Sequence, residues 1–290
     1  MIAPAPASAA DPLVAAAGDI ACPGNSPVAV GGGDDGTAGC RATATADVLS
    51  ALEPALVLTL GDEQYDVAGR AEFQAGYDAS WGRLKAITRP APGNHEYATA
   101  GASGYFGYFG EAAGPADRGY YSLDVGTWHV VALNSNCRPA GGCGAGSPQE
   151  RWLRADLTAH PSACTLAFWH HPRFSSGLHG DDPTVGPLWD ALYDAGVELV
   201  LAGHDHDYER WAPMSPAGEL DQARGIREFV VGTGGRSLYP ILRSPRPASE
   251  ARSDAAYGVL ALTLHPTGYD WSFRAAAGSS YADSGSGSCH

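Results

Sequence analysis

The sequence predicts an α/β protein, and two observations carry that expectation. Short apolar, β-branched runs at residues 13–17, 55–60, 164–169 and 197–202 each read as a buried strand that ends in a polar loop. Between them, residues 41–52, 72–87, 148–159 and 185–195 place apolar side chains at helical spacing. Strands alternating with helices in this way build a mostly parallel sheet with helices on its faces.

In chain order, the run at 13–17 ends at Gly18-Asp19, and the run at 55–60 ends at Gly61-Asp62. The helix expected at 148–159 is the best marked, with Ser147 as N-cap, Pro148 at the first helical position and Glu150 completing a capping box. Further on, residues 120–125, 128–134, 229–232, 258–264 and 269–274 read as strands, joined by turns such as Pro266-Thr267-Gly268. Hairpins therefore flank the parallel core. No compositional break or internal repeat divides the chain. The expected organisation is an N-terminal tail at 1–12, one domain at 13–277 and a Gly/Ser-rich loop at 278–290, tied down through Cys289.

Hydrophobic residues make up 44% of the chain and charged residues 17%, enough apolar material for a core and too little charge for a disordered chain. The formal net charge of −14 argues against gripping a nucleic acid polymer or an anionic membrane, both of which need clustered Lys and Arg. The expected partner is a small molecule. Cys22, Cys40, Cys137, Cys143, Cys164 and Cys289 form an even set without CxxC or zinc-finger spacing, which reads as disulfides and hence as a secreted protein, extracellular or periplasmic. Cys22 with Cys40 and Cys137 with Cys143 each bracket a Gly-rich loop, so two short clips are expected. The start, MIAPAPASAADP, lacks the charged and apolar regions of a signal peptide and reads as a mature or trimmed terminus. No apolar run is long enough for a transmembrane helix.

The chemistry lies at the strand ends. Five short motifs carry metal-binding residue types: Gly18-Asp19, Gly61-Asp62-Glu63-Gln64-Tyr65, Gly93-Asn94-His95-Glu96, Trp169-His170-His171-Pro172 and Gly203-His204-Asp205-His206. In α/β sheets, ligands gather at the carboxyl ends of strands, so these loops are expected to meet in one crevice. Glycine precedes four of the five, where a sharp backbone turn is expected. Imidazole, carboxylate and amide donors suit iron, zinc or manganese rather than calcium. Two such ions about 3.5 to 4 Å apart can lower the pKa of an attacking water and bind a phosphoryl oxygen, so the expected reaction is phosphoester hydrolysis by metal-bound hydroxide.

In this order the motifs resemble those of the calcineurin-like metallophosphoesterases, and within them the purple acid phosphatases, over roughly residues 19–210. The resemblance implies a four-layer αββα sandwich. It assigns Asp19, Tyr65 and His206 to one metal, Asn94, His170 and His204 to a second, and Asp62 to both. It also gives His95 a role in phosphate contact or leaving-group protonation, and His179 an outer-sphere role. Asp19-Ile20-Ala21-Cys22 departs from the family's Asp-x-Gly. Tyr65 stands where the wider superfamily commonly has Asp, and a phenol of unperturbed pKa about 10 needs a strongly charged cation to ionise it. The implied cofactors are therefore Fe(III) plus a divalent ion (Fe, Zn or Mn), and the implied substrate is a small phosphoester, a phosphomonoester first. The alternatives are a phosphodiesterase, a nucleotide-specific hydrolase, and a binding protein that keeps the fold without metals.

Several residues carry a plainer reading. His129, His160, His265 and His290 are expected to be packed or hydrogen-bonded, and His171 competes with His170 as a ligand. Tyr105, Phe106, Tyr108 and Phe109 are expected to pack a loop, and Gly232-Thr233-Gly234-Gly235 to form a tight strand exit near the site. Glu209-Arg210 reads as a buried ion pair.

Overall fold

The computed structural model describes residues 11–22 and 40–290. Most of the N-terminal tail and the loop between Cys22 and Cys40 lie outside the described residues. In chain order the strands are β1 (Leu13–Ala17), β2 (Leu56–Leu60), β3 (Thr88–Ala91), β4 (Tyr121–Val125), β5 (Trp128–Ala132), β6 (Cys164–Phe168) and β7 (Leu199–Ala202). They continue with β8 (Tyr208–Trp211), β9 (Arg227–Val231), β10 (Ser249–Ser253), β11 (Gly258–His265), β12 (Gly268–Ala275) and β13 (Ser284–Ser288). The helices are α1 (Ala42–Leu52), α2 (Arg70–Ala75), α3 (Ser103–Phe109), α4 (Pro148–Ala159) and α5 (Gly186–Asp194).

Among the described residues these strands form two sheets, ordered β13-β12-β11-β1-β2-β3 and β10-β8-β9-β7-β6-β5-β4. Neighbours β1, β2 and β3 run parallel, as do β5, β6, β7 and β9, while the flanking pairs are antiparallel. Side-chain alternation sorts the second sheet into two faces. Trp128, Val130, Leu166, Phe168, Leu199, Leu201 and Phe229 join Leu58, Leu260 and Phe273 in a core between the sheets. Val131, Ala167, Trp169 and Val200 point the other way, onto Leu153 of α4 and Leu188 and Leu192 of α5. Helix α1 covers the outside of the first sheet through Ala46 and Leu49. The layers are thus helix, sheet, sheet and helix.

Helix α4 starts as the sequence predicts: Ser147 accepts the Glu150 N–H at 3.3 Å, with Pro148 at the first helical position. The expected capping box is incomplete, because the Glu150 carboxylate accepts from the Gly146 N–H at 2.9 Å instead of turning back to Ser147. The helix expected over 72–87 is broken into α2 and a 3-10 helix, Trp81–Ile87. Gly76 packs against the Gln64 side chain, and the Tyr77 N–H leaves the helical pattern to donate to Gln64 Oε1 at 2.8 Å.

The Gly/Ser segment expected as a loop supplies an edge strand. Residues 284–288 pair with β12, and Cys289 is bonded to Cys164 of β6, so one sheet is tied to the other. Alternating Gly and Ser carries no periodic apolar signal, and the partner strand decides its conformation. The bonds Cys22–Cys40 and Cys137–Cys143 close the two expected short clips. Glu209 and Arg210 do not pair with each other. As neighbours on β8 they face opposite ways, Glu209 to the Ser176 N–H and Ser249 hydroxyl, Arg210 to Asp283 and Glu250. Tyr105 and Phe109 are buried core residues, and the Tyr105 hydroxyl donates to the Pro90 carbonyl at 2.9 Å.

Candidate metal centre

All five motifs lie just beyond the carboxyl ends of parallel strands: Asp19 after β1, Asp62 after β2, Asn94 after β3, His170 after β6 and His204 after β7. His206 precedes β8. The fold brings them together from both sheets. Asp19 (φ 61°), Asp62 (φ 50°) and His204 (φ 71°) all adopt the left-handed backbone conformation that side chains rarely take. Such strain persists only where the surroundings over-determine it, and it concentrates at functional sites. The glycines serve close packing as well as the expected turn. Of Gly18, Gly61, Gly93 and Gly203, Gly61 alone has positive φ. A Cβ on Gly93 would run into the Asp62 carboxylate, and one on Gly203 would stand 2.6 Å from Asp19 Oδ2.

The donor atoms fall into two groups. In the first, the Tyr65 phenol oxygen lies 2.8 Å from Asp19 Oδ1, 3.0 Å from Asp62 Oδ2 and 2.9 Å from His206 Nε2. In the second, His170 Nε2 lies 3.1 Å from Asn94 Oδ1 and 3.2 Å from His204 Nδ1. Asp62 Oδ2 also approaches this group, at 3.4 Å from His170 Nε2. One carboxylate oxygen therefore faces both.

Hydrogen-bond partners aim these atoms. His170 Nδ1–H donates to the Leu60 carbonyl at 2.8 Å and His206 Nδ1–H to the Ser237 carbonyl at 2.6 Å, so each ring presents an Nε2 lone pair inward. Glu96 accepts the backbone N–H groups of Asp62 at 2.9 Å and Gly93 at 2.8 Å, joining two ligand loops through one buried carboxylate. Burial, with Asp62 next to it, pushes Glu96 up to about 7. The carboxylate of Asp19 accepts the His204 N–H at 2.8 Å.

This donor set matches cations. Tyr65 has one hydrogen and three acceptor neighbours. His170, whose Nδ1–H is already committed, sets Nε2 against an amide oxygen, a carboxylate oxygen and another imidazole nitrogen. Acceptors packed against acceptors are stabilised by positive charge between them. Burial, followed by the charges of Asp19 and Asp62, holds the Tyr65 phenol well above its usual value. Burial would lower His170, but the Asp62 carboxylate outweighs it and brings the ring up to about 9.

His171 lies near the same cluster, and its ligand atom falls within 4.8 Å of those of His170 and His204. Its Nδ1 faces the Ser135 hydroxyl at 2.7 Å, whereas His170 Nε2 is the atom that meets Asp62, Asn94 and His204. Burial, then the neighbouring His170, pushes His171 down to about 3, so its ring is neutral. His95 sits at the open side, its side chain 31% exposed and Nε2 3.8 Å from Asp62 Oδ2. Its Nδ1–H donates to the Asp66 carbonyl at 2.5 Å, which turns Nε2 toward the centre. The exposed His179 ring lies 4.3 Å from that of His204, and its backbone N–H donates to Asp205 Oδ1 at 2.7 Å.

Sequence reasoning missed three neighbours. Tyr239 stacks on His206 with centroids 3.9 Å apart, and the Arg236 guanidinium lies 5.1 Å above the Tyr65 ring. Both follow β9 beyond the expected glycine exit, in no recognisable motif. Glu96 was visible within Gly93-Asn94-His95-Glu96, but its bonds to a loop 34 residues earlier were not.

The sequence model of the calcineurin-like phosphoesterase family matches residues 13–208. Purple acid phosphatase 23 of Arabidopsis thaliana is 30% identical over 207 residues, covering 58% of this chain and 44% of that protein. Human acid phosphatase type 7 is 29% identical over 195 residues, covering 56% of this chain and 43% of that protein. The matched region thus spans less than half the length of these relatives. Among solved structures, purple acid phosphatase PPD1 from yellow lupin seeds superposes with a TM-score of 0.71 at 18% identity, covering 98% of this chain and 55% of that one. At that identity the likeness establishes the fold.

Proposed function

The chain belongs to the calcineurin-like phosphoesterase family, and on that premise we propose that it hydrolyses small phosphate esters, phosphomonoesters first, at a centre of two metal ions. Asp19, Tyr65 and His206 would hold one ion, Asn94, His170 and His204 the other, and Asp62 would serve both. The observation that carries this reading is the position of Asp62 Oδ2, 3.0 Å from the Tyr65 oxygen and 3.4 Å from His170 Nε2. When bound, the ions supply an activated water and positive charge for the phosphoryl oxygens.

The chain's own groups do the rest. Glu96 and the His95 N–H, which donates to Asp62 Oδ1 at 2.9 Å, fix the Asp62 loop in place. His95 Nε2, on the open side, gives a proton to the leaving-group oxygen. His179, whose ring lies 4.3 Å from that of His204, would act on the phosphoryl group from outside the ligand shell. The high pKa of the Tyr65 phenol favours a strongly charged partner for its ionisation, and Fe(III) beside a divalent ion meets that demand. Three disulfides support secretion into an oxidising compartment.

The test is chelation and replacement. The chelated protein should stay folded and lose hydrolysis of aryl phosphates, and activity should return as two ions per chain are restored. Full turnover in metal-free protein would overturn the proposal. A panel of aryl mono- and diesters and nucleotides then reads the substrate class, with faster monoester cleavage expected.

A further inference from the structure

A second cluster of ligand-type side chains lies at the other end of the strands from Asp62. His129 is the second residue of β5, directly opposite Asp124 of β4 in the antiparallel register. Asp156 and His160 are one turn apart at the end of α4, and the His160 N–H donates to the Asp156 carbonyl at 3.0 Å. The His129 side chain is 2% exposed and contacts a carboxylate at each nitrogen, Asp124 Oδ1 at Nδ1 and Asp156 Oδ2 at Nε2, both at 2.9 Å. A neutral imidazole has a single N–H. If Nδ1–H serves Asp124, Nε2 turns a lone pair toward Asp156 Oδ2, and a proton or a metal ion must stand between them. The other oxygen, Asp156 Oδ1, already accepts the Ser122 hydroxyl at 2.9 Å, so Oδ2 remains for the cation.

His160 adds a second imidazole. Its ligand atom and those of His129 and Asp156 all lie within 4.8 Å of one another. We propose that His129 Nε2, Asp156 Oδ2 and His160 form a further metal site, independent of the centre around Asp62, that takes a divalent ion of the zinc type. Two imidazoles and a carboxylate are a donor mix suited to zinc, nickel or copper. Asp124 is the outer carboxylate that fixes the His129 ring, as carboxylates do behind metal-bound histidines. The ion takes the place of a proton on His129 Nε2, and that proton leaves to solvent. His160 stacks on His129 with centroids 4.7 Å apart and its Nδ1–H donates to the Asp156 carbonyl at 2.9 Å, so its ring must turn and give up that bond to ligate. It is 47% exposed and sits past the last helical residue, which leaves room for that rotation. Asp124, His160 and Ser162 line a surface cleft through which water completes the coordination. The bound ion would join the edge strand β4, its neighbour β5 and the end of α4.

The experiment counts zinc. The full-length protein is equilibrated with zinc chloride, bound metal is measured by elemental analysis, and melting is recorded with and without zinc. Relative to wild type, His160→Ala should bind one ion fewer and lose part of the zinc-dependent rise in melting temperature, with turnover unchanged. Asp156→Asn, which keeps an acceptor for Ser122, should give the same loss. Asp62→Ala should lose its own ions and keep the one that His160→Ala removes, so failure of the catalytic reading and failure of this one are separate results. Equal zinc content in wild type and His160→Ala, with identical zinc-dependent melting, would show that the cluster is only a protonated ion pair.

Discussion

The phenol oxygen of Tyr65 stands 2.8 Å from Asp19 Oδ1, although the two residues are 46 positions apart and follow different strands. Burial and the two nearby carboxylates keep this phenol protonated without a strong cation. Under the proposed assignment, Fe(III) held by this phenol would ionise it and give a visible charge-transfer absorption. The isolated protein should therefore be pink to purple, and Tyr65→Phe should be colourless with iron still measurable. An active, colourless, iron-free wild type would rule out the ferric assignment and leave the two-metal reading standing.

His95 allows the proposed proton transfer to be tested against phosphate positioning. With Nδ1–H held by Asp66, its Nε2 is the atom that can protonate a leaving group. His95→Ala should slow hydrolysis of alkyl phosphates by about a hundredfold or more, and of activated aryl phosphates much less, since general acids contribute about 10²–10⁴-fold. Equal losses for both would assign His95 to phosphate positioning instead.

Gly93 tests the close packing around the ligands. Its neighbour is the Asp62 carboxylate, where a methyl group has no space. Gly93→Ala should cost about 1–3 kcal/mol, as overpacking does, and should weaken metal retention because Asp62 must move. Unchanged melting and metal content would mean that the loop relaxes freely.

Glu198 sets a pH dependence remote from the candidate metal centre. Burial raises its carboxyl from 4.5 to about 7, against the opposing hydrogen bond from the Thr165 N–H at 2.6 Å. The folded protein holds this proton more tightly than the unfolded chain. The contribution is therefore complete below about pH 4.5 and is lost as pH rises through about 7. Glu198→Gln keeps the acceptor for Thr165 and removes the titration, so it should gain stability over wild type by up to about 3 kcal/mol between pH 4 and 8. Denaturant melts at the two pH values measure it, and a constant difference would refute it.

Much of the site was legible in the sequence because each motif is local. Gly61-Asp62 and Gly203-His204 end apolar runs, and a strand end followed by a turn aims a side chain without help from distant residues. The capped start of α4 and the two short disulfide clips were legible for the same reason. The short strands β3, β8 and β10 were not, since Thr88-Arg89-Pro90-Ala91 and Ser249–Ser253 carry weak strand signals and depend on pairing.

By itself the sequence determined which residue types stand at the strand ends and in what order, because hydrophobic periodicity and turn chemistry act within a few residues. Only the tertiary structure decided that Asp62 Oδ2 faces both donor groups, that Glu96 joins two ligand loops, that Cys164 meets Cys289 across 125 residues, and that Tyr239 stacks on His206. These contacts depend on strand order and on how two sheets pack over one core, which distributes the determining interactions over the whole chain.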